Sequence, residues 1–469
     1  MDDFTDRKDF KTSKTDKRRF FPRCLGPVFI SSGTEVGEHA SGPSRDVITE
    51  ILAKEINFAG REVNIAVLAI GIDNCKMVND TLGHKFGDVL LRSIGEKLVE
   101  TVRPYDIVSY VGGDEFVILL RNSGASGAAT AAKKILRALR NTSVPIASWH
   151  LNVAGSIGIS LFPSDGENAH DLVHKASIAL HRNKETLSSS HRFYSQKMQE
   201  MLERKLSICS SLSQAIDHGH LVVHYQPLVD TVTKKIVGAE ALTRWTHPTL
   251  GPISPEEYIP IAEEMGLINK LGEYVLRKAC QEWRSLVDGG CPEITMAVNV
   301  SIRQLQNQYS LLSTVKHCIK SYSIPPGILN LELTESAMME KFESLDYFMR
   351  KARELGASLN LDDFGTGYSC LSYLSKLPFD KIKIDRSFVS GAEGLNGNTS
   401  IIKAIMMIAK TLNIKTVAEG IENEQQTTLM EDLGCDYIQG FLYGKPMGLG
   451  ELQEALCREI RELEQARAA

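Results

Sequence analysis

The chain is 469 residues long, 43% hydrophobic and 24% charged, with a formal net charge of −5 at pH 7. That length predicts two or three domains, each with a full core, and the mild acidity excludes a nucleic-acid binder, which needs a basic face. No apolar run reaches the roughly 18 residues that span a bilayer, the N-terminus lacks a signal-peptide core, and the nine cysteines are scattered without a C-x-x-C pair, which together predict a cytoplasmic protein with reduced thiols.

Residues 1–45 are polar and mixed in charge, rich in Gly and Ser from Gly26 to Ser44, and read as a mostly disordered tail. The basic cluster around Arg18-Arg19-Phe20-Phe21 suits a membrane surface or a partner, although a solvated tail accounts for it more simply. From residue 46 the pattern changes. A helix from about Asp46 to Asn57 leads to an apolar strand, Val63 to Ile72. A second helix carries Asn79-Asp80-Thr81-Leu82-Gly83-His84-Lys85-Phe86-Gly87-Asp88 and runs to about Thr101. Two β-rich runs, Ile107 to Val111 and Phe116 to Leu120, flank Gly112-Gly113-Asp114-Glu115. That is a hairpin signal: the glycines permit the turn and the acids sit at its tip. A helix (Ala128 to Arg140), a strand (Asn152 to Ser160) and a helix (Ala169 to Asn183) complete an α+β unit, expected as two layers with helices on an antiparallel sheet.

Val111-Gly112-Gly113-Asp114-Glu115-Phe116, with the Asn79 to Asp88 block upstream, resembles the GGDEF domain of bacterial diguanylate cyclases over about residues 46–190. The resemblance implies a palm-like, nucleotidyl-cyclase-type fold and the condensation of two GTP into cyclic di-GMP across a dimer. It implies that Asn79 and Asp88 read guanine, that Lys76 contacts phosphate, that Asp114 holds Mg²⁺, and that Arg103 and Asp106 form an R-x-x-D product-inhibition site. The departures are as informative. Where the family has a metal-binding Asp at the end of its first strand, this chain reads Gly71-Ile72-Asp73-Asn74-Cys75-Lys76. Asp73 lies two residues on, roughly 7 Å along an extended strand, and is a poor substitute. The family's K-x-x-G-R-N ending is reduced to Lys184-Glu185-Thr186-Leu187-Ser188, and its L-T-G-L-P-N-R opening to Ser41-Gly42-Pro43-Ser44-Arg45. Guanine readers without metal and phosphate ligands imply a degenerate, regulatory domain that binds GTP and condenses it poorly.

Residues 188–194 read as a polar loop. A linker over 191–204 runs into a helix with Met198, Leu202, Leu206, Cys209, Leu212 and Ile216 at three- and four-residue spacing, one apolar stripe for packing or, second, for dimerisation. After His220 strand-like runs alternate with helical ones: Leu221 to Pro227, Val237 to Arg244, Ile294 to Ser301, Leu329 to Thr334, Ser358 to Asp362, Lys381 to Asp385, Thr416 to Gly420 and Tyr437 to Tyr443. Helical patterns at Pro255 to Met265, Glu273 to Val287, Tyr347 to Leu355 and Ile401 to Leu412 lie between them. The alternation predicts a (β/α)₈ barrel over about 205–460.

Chemistry in such a barrel sits at the C-terminal strand ends. These carry Gln226, Glu240 and Arg244, Asn299, Glu332 and Glu335, Asp362 and Asp363, Lys383 and Asp385, Glu419 and Glu422, and Gln439. Any one is ordinarily a satisfied core polar group. So many acids at one mouth, accompanied by one Lys and one Arg, repel one another unless cations intervene, and oxygen donors without Cys or His suit two hard divalent ions. Asp362-Asp363 at a strand end before Gly365 and Gly367 reads by itself either as a shared metal site or as an Asx-type turn; its neighbours favour the metal.

Glu240-Ala241-Leu242-Thr243-Arg244, Asn299-Val300-Ser301, Glu332-Leu333-Thr334-Glu335, Asp362-Asp363-Phe364-Gly365-Thr366-Gly367-Tyr368, Lys383-Ile384-Asp385 and Glu419-Gly420-Ile421-Glu422 together resemble the EAL family of cyclic di-GMP phosphodiesterases. The resemblance implies a modified TIM barrel with one antiparallel strand, often dimeric, that linearises cyclic di-GMP to 5′-pGpG with Mg²⁺ or Mn²⁺. It implies one ion on Glu240, Asn299, Glu332 and Asp362, and a second on Asp362, Asp363 and Glu419. It implies too that Lys383 orients or deprotonates the attacking water, and that Gln226, Arg244, Glu422 and Gln439 shape the substrate site. Glu335 anchors the loop from Phe364 to Cys370, where Cys370 replaces a common Ser. The expectation is a cytoplasmic, homodimeric phosphodiesterase with GTP as a regulator; a bifunctional enzyme and a non-catalytic receptor are the alternatives.

Overall fold

The structure is a computed structural model and describes residues 28–30, 44–59, 63–73, 75–146, 149–184, 190–335, 342–365, 374, 376–391 and 398–468. The chain divides into two compact units, Met1–Glu203 and Arg204–Ala469.

The first unit is built on strand β2 (Ile65–Ile72), an unbroken apolar run buried at every position. Such a run is buried on both faces, as its two sets of alternate side chains show. Ala66, Leu68, Ile70 and Ile72 join the core of helices Cys75–Leu82, His84–Thr101 and Ala125–Arg140. Ile65, Val67 and Ala69 join the core of helices Ser44–Ala59 and Ala169–Lys184. The unit therefore has three layers where two were expected. The sheet order is β1-β3-β4-β2-β7-β8, with β1 (Val28–Ile30), β3 (Ile107–Gly112), β4 (Glu115–Leu120), β7 (Gly155–Phe162) and β8 (His191–Phe193). The β3–β4 hairpin turns on Gly112 (φ 112°) and Gly113 (φ 62°), conformations that favour glycine.

Several short elements depart from the sequence reading. Val28–Ile30, within the expected tail, pairs parallel with β3, and His191–Phe193, expected as loop, pairs parallel with β7. A separate hairpin joins β5 (Ser143–Ile146) to β6 (Trp149–Asn152). The expected single helix over the Asn79 to Asp88 block breaks at Gly83, whose φ is 94°. Ser44 and Arg45, the end of the expected tail, open the helix Ser44–Ala59; the rest of the tail, including Arg18 to Phe21 and Ser41 to Pro43, and the stretch Glu185 to Ser188 lie outside the described residues.

In the second unit, β10 (Ile236–His247), β12 (Thr295–Asn299), β13 (Leu329–Thr334), β14 (Ser358–Phe364), β15 (Lys381–Ile384), β16 (Lys415–Ala418) and β17 (Tyr437–Ile438) pair in parallel in that order. The strand β9 (Leu221–Asp230) is antiparallel to both β17 and β10 and closes the barrel; the short β11 (Gly251–Ile253) folds back on β10. The odd-hand strand is thus the first one. Leucines and isoleucines on the outward faces pack under the helical ring, with Trp245, Trp283, Tyr258 and Phe348 fully buried there. On helix Gln196–Asp217 the expected stripe is partly realised: Ile208, Leu212 and Ile216 are buried in the barrel unit, and Leu206 is exposed.

Candidate active site

Strand alternation decides what faces the barrel axis. In β13 Leu329, Leu331 and Leu333 face the helices, leaving Asn330 and Glu332 inward; β14 does the same with Asn360 and Asp362, and β15 with Lys381 and Lys383. Period-two pairing in register then stacks these groups in layers, with Asn299 opposite Glu332, Glu332 opposite Asn360, and Asn360 opposite Lys381.

Lys383 is the centre of the upper layer. Its Nζ lies 2.7 Å from Glu419 Oε1, 2.9 Å from Glu332 Oε2, and 3.2 Å from both Glu240 Oε2 and Asp362 Oδ1. Asn299 donates to Glu240 Oε1 at 2.7 Å. Gln439 donates to Glu240 Oε2 at 2.9 Å and to Gln226 Oε1 at 3.2 Å, while Gln226 donates to the Gly444 carbonyl at 3.2 Å. The two glutamines therefore hold Glu240 from the β9 and β17 side.

Adjacent acids on a strand point to opposite faces, and Asp362 and Asp363 would do so if β14 ran straight. It does not. The register with β15 shifts between Leu361 and Phe364, and Asp363 adopts φ 53°, a left-handed conformation that Asp tolerates better than most residues. Both carboxylates turn to one side as a result, and Asp362, Asp363 and Glu419 each bring an oxygen within 4.8 Å of the others. Behind them Glu335, 3% exposed, accepts from the Gly365 amide at 3.0 Å, and its own amide donates to the Asp362 carbonyl at 3.2 Å. The loop Thr366 to Cys370 lies outside the described residues.

The electrostatics follow from burial. Burial pushes the Glu332 carboxyl up to about 8 and the Glu419 carboxyl up to about 7, against the pull of Lys383. Burial opposes ionisation of Glu240 too, but Lys383 with the Gln439 and Asn299 amides overcomes it and holds that carboxyl below its ordinary value. Burial alone would discharge Lys383; four surrounding carboxylates keep it well above its ordinary value. Asp363 is raised by burial and by Asp362. One ammonium against five acids leaves a negative, oxygen-lined cluster, the donor chemistry of a hard divalent ion.

Of the expected substrate groups, Arg244 is half-buried with Nη1 on the Thr243 carbonyl at 2.9 Å, and Glu422 is exposed with its amide on Gln426 Oε1 at 2.8 Å. A deeper polar layer was not anticipated. Asn360 Nδ2 donates to Glu332 Oε1 at 3.2 Å, and Lys381 Nζ donates to Asn330 Oδ1 at 3.2 Å above the Tyr437 ring. The signal was present as polar residues two positions before Glu332, Asp362 and Lys383.

In the first unit Asn79 Oδ1 is buried with no partner among the described residues, beside Gly87, where a Cβ would approach it to 2.0 Å. Lys76 and Asp88 are exposed. Asp114, at the hairpin tip, pairs with Lys184. Asp106 is 2% exposed, and its two oxygens accept from the amides of Arg103 at 3.0 Å and Arg121 at 3.3 Å; Arg103 is turned outward onto Tyr105. Asp106 thus fastens the turn from which the Arg103 side chain projects.

Comparison with known proteins agrees with both units. The EAL domain model matches residues 210–446, and the model of the diguanylate cyclase GGDEF domain matches residues 42–190. A curated relative, the bifunctional diguanylate cyclase/cyclic di-GMP phosphodiesterase MucR of Pseudomonas aeruginosa, is 36% identical over 87% of this chain and 60% of its own length. The cyclic di-GMP phosphodiesterase NbdA of the same organism is 34% identical over 88% of this chain and 53% of its own. The chain thus spans about half to three fifths of these relatives. Among solved structures, a MucR phosphodiesterase in complex with cyclic di-GMP is 40% identical over 52% of this chain and 99% of that one, with a TM-score of 0.50.

Proposed function

Since the chain belongs to the EAL family and carries a GGDEF domain ahead of its EAL domain, we propose that within cyclic di-GMP signalling it is the hydrolase, opening cyclic di-GMP to 5′-pGpG. The observation that carries the reading is the ring of Glu240, Asn299, Glu332, Asp362 and Glu419 around Lys383, with Asp363 turned in beside it.

The donor set fits divalent ions: carboxylate and amide oxygens only, three of the acids within 4.8 Å, and too little positive charge to balance them. Glu240, Asn299, Glu332 and Asp362 would hold one Mg²⁺ or Mn²⁺, and Asp362, Asp363 and Glu419 the second. When bound, such ions supply Lewis-acid charge to the phosphodiester and make water acidic enough to attack at neutral pH.

The chain's own groups do the positioning. Lys383, fixed by four carboxylates, holds a proton at Nζ where an attacking water would be oriented. Gln439 and Gln226 keep Glu240 facing inward, and together with Arg244 and Glu422 line the side on which the dinucleotide would lie. Glu335 fixes the Gly365 amide and so the direction of the two aspartates. The test is chromatography of cyclic di-GMP incubated with the protein and Mg²⁺ or Mn²⁺. Appearance of pGpG, lost in Asp362→Asn, is expected; intact substrate with both metals would refute the reading and leave a receptor.

Asn79, whose buried oxygen has no partner among the described residues, supports a second role, GTP held by the first unit as a regulator. A hydrolysis rate that stays flat across a GTP titration rejects it.

A further inference from the structure

The resemblance of the first unit implies a divalent cation on Asp114, and the residues present do not fit one. A magnesium site needs oxygen ligands converging on a point that no other cation fills. Gly71, at the end of β2 and opposite Glu115 of the hairpin, offers no side chain. Its backbone is not among those with positive φ, so conformation does not demand glycine there. Space does. A Cβ on Gly71 would lie 2.2 Å from Cε and 2.5 Å from Nζ of Lys184, which reaches over from the last turn of helix Ala169–Lys184. The same Nζ lies 2.7 Å from Asp114 Oδ2.

The geometry points to an exchange of cations: the first unit has given up its divalent ion for the ammonium of its own Lys184, with Asp114 as the partner of that ammonium and not a metal ligand. A carboxylate at position 71 and the present Lys184 rotamer are mutually exclusive, because they claim the same volume. Any divalent ion approaching Asp114 would also meet a positive charge already at hydrogen-bond distance from its oxygen. The consequence is that the first unit is closed to metal-dependent phosphoryl transfer, which leaves the barrel as the metal-dependent centre. The inference concerns the first unit alone and is tested by metal binding, so it stands or falls apart from whether the barrel hydrolyses anything.

The experiment counts Mn²⁺ bound to the full chain by loss of the free-ion electron paramagnetic resonance signal, with Asp362→Asn and Asp363→Asn introduced together to silence the barrel. That protein is expected to bind no Mn²⁺ through the first unit, whereas adding Gly71→Asp with Lys184→Ala is expected to create a Mn²⁺ site that Asp114→Asn removes. A Mn²⁺ site in the barrel-silenced protein that disappears on Asp114→Asn would overturn the inference, and so would failure of the folded Gly71→Asp/Lys184→Ala protein to gain one. Should that variant not fold, ¹³C-methylated lysine resonances decide. The Lys184 signal should move on Asp114→Asn and stay fixed under added Mg²⁺; a Mg²⁺-induced shift toward the Asp114→Asn position refutes the exchange.

Discussion

Replacing Lys383 by Met keeps the length of the stem and removes the charge to which Glu240, Glu332, Asp362 and Glu419 all point. In the metal-free protein near neutral pH, Glu332 and Glu419 titrate at about 8 and about 7 and already carry protons much of the time. Glu240 is the acid that depends on the ammonium, since it is held below its ordinary 4.5 while only 8% exposed. Without Lys383 it is expected to take up a proton, which from an ordinary value near 4.5 costs about 1.36 kcal/mol per pH unit, or about 3.4 kcal/mol at pH 7 and about 2.0 kcal/mol at pH 6. The larger figure is of the size seen when one partner of a buried pair is deleted, about 3–5 kcal/mol. At about 2–4 °C per kcal/mol for a unit of this size, the barrel's melting temperature should fall about 7–14 °C at pH 7 and clearly less at pH 6. Fluorescence of Trp245 and Trp283, both buried in the barrel, follows the transition. A loss below about 1 kcal/mol at pH 7, or one independent of pH, would refute the account of Glu240 as the acid that Lys383 neutralises.

Metal binding should reverse the same balance. Glu332 and Glu419 ionise later in the folded chain than in the unfolded one. The stability they contribute without metal is therefore complete below about 4.5 and lost as pH rises through 7 to 8. Mn²⁺ displaces those protons, so the rise in melting temperature at fixed excess Mn²⁺ should grow from pH 6 to pH 8.5 when measured calorimetrically; an equal rise at both ends contradicts it. Glu335→Ala frees the Gly365 amide and should weaken Mn²⁺ binding by about 10–100-fold in titration calorimetry, with the fold kept by circular dichroism. Gly365→Ala meets a φ of 98° and puts a Cβ 2.9 Å from Phe388 Cε2, and denaturant unfolding should show a loss of about 1–3 kcal/mol.

The barrel site was legible because its residues interrupt apolar strands with polar groups that cannot be there for packing: Glu332 among leucines, Asp362 after Leu361, Lys383 between Ile382 and Ile384. Asn360 and Lys381 follow the same alternation and passed unnoticed because they lie two positions before the C-terminal strand ends, where the chemistry was sought. The convergence of Asp362 and Asp363 was expected from their place at a strand end. Its means, a left-handed Asp363 and a slipped register, could not be read, since Asp permits that conformation without requiring it. In the first unit the missed strands Val28–Ile30 and His191–Phe193 are short and held by pairing with residues distant in sequence, as Val28–Ile30 is with Ile107 to Ser109. The third layer could have been read from the run Ile65 to Ile72, which does not alternate. Gly71 revealed a missing ligand; that Lys184 occupies the space depends on a helix returning across the sheet, which no local pattern records.

The ring closes between its first and last strands: β9 bonds to β17, so Val229 meets Ile438 and Asp230 meets Tyr437 across some two hundred residues of intervening chain. On a ribosome, β9 would wait through the synthesis of nearly the whole unit with one flank unsatisfied, and the Gln226–Gln439 bond that braces Glu240 would be among the late contacts to form. An emerging chain would therefore complete its ring of acids only once the barrel had closed, and premature termination anywhere before β17 would leave one edge of β9 unpaired, open to adhesion with other chains.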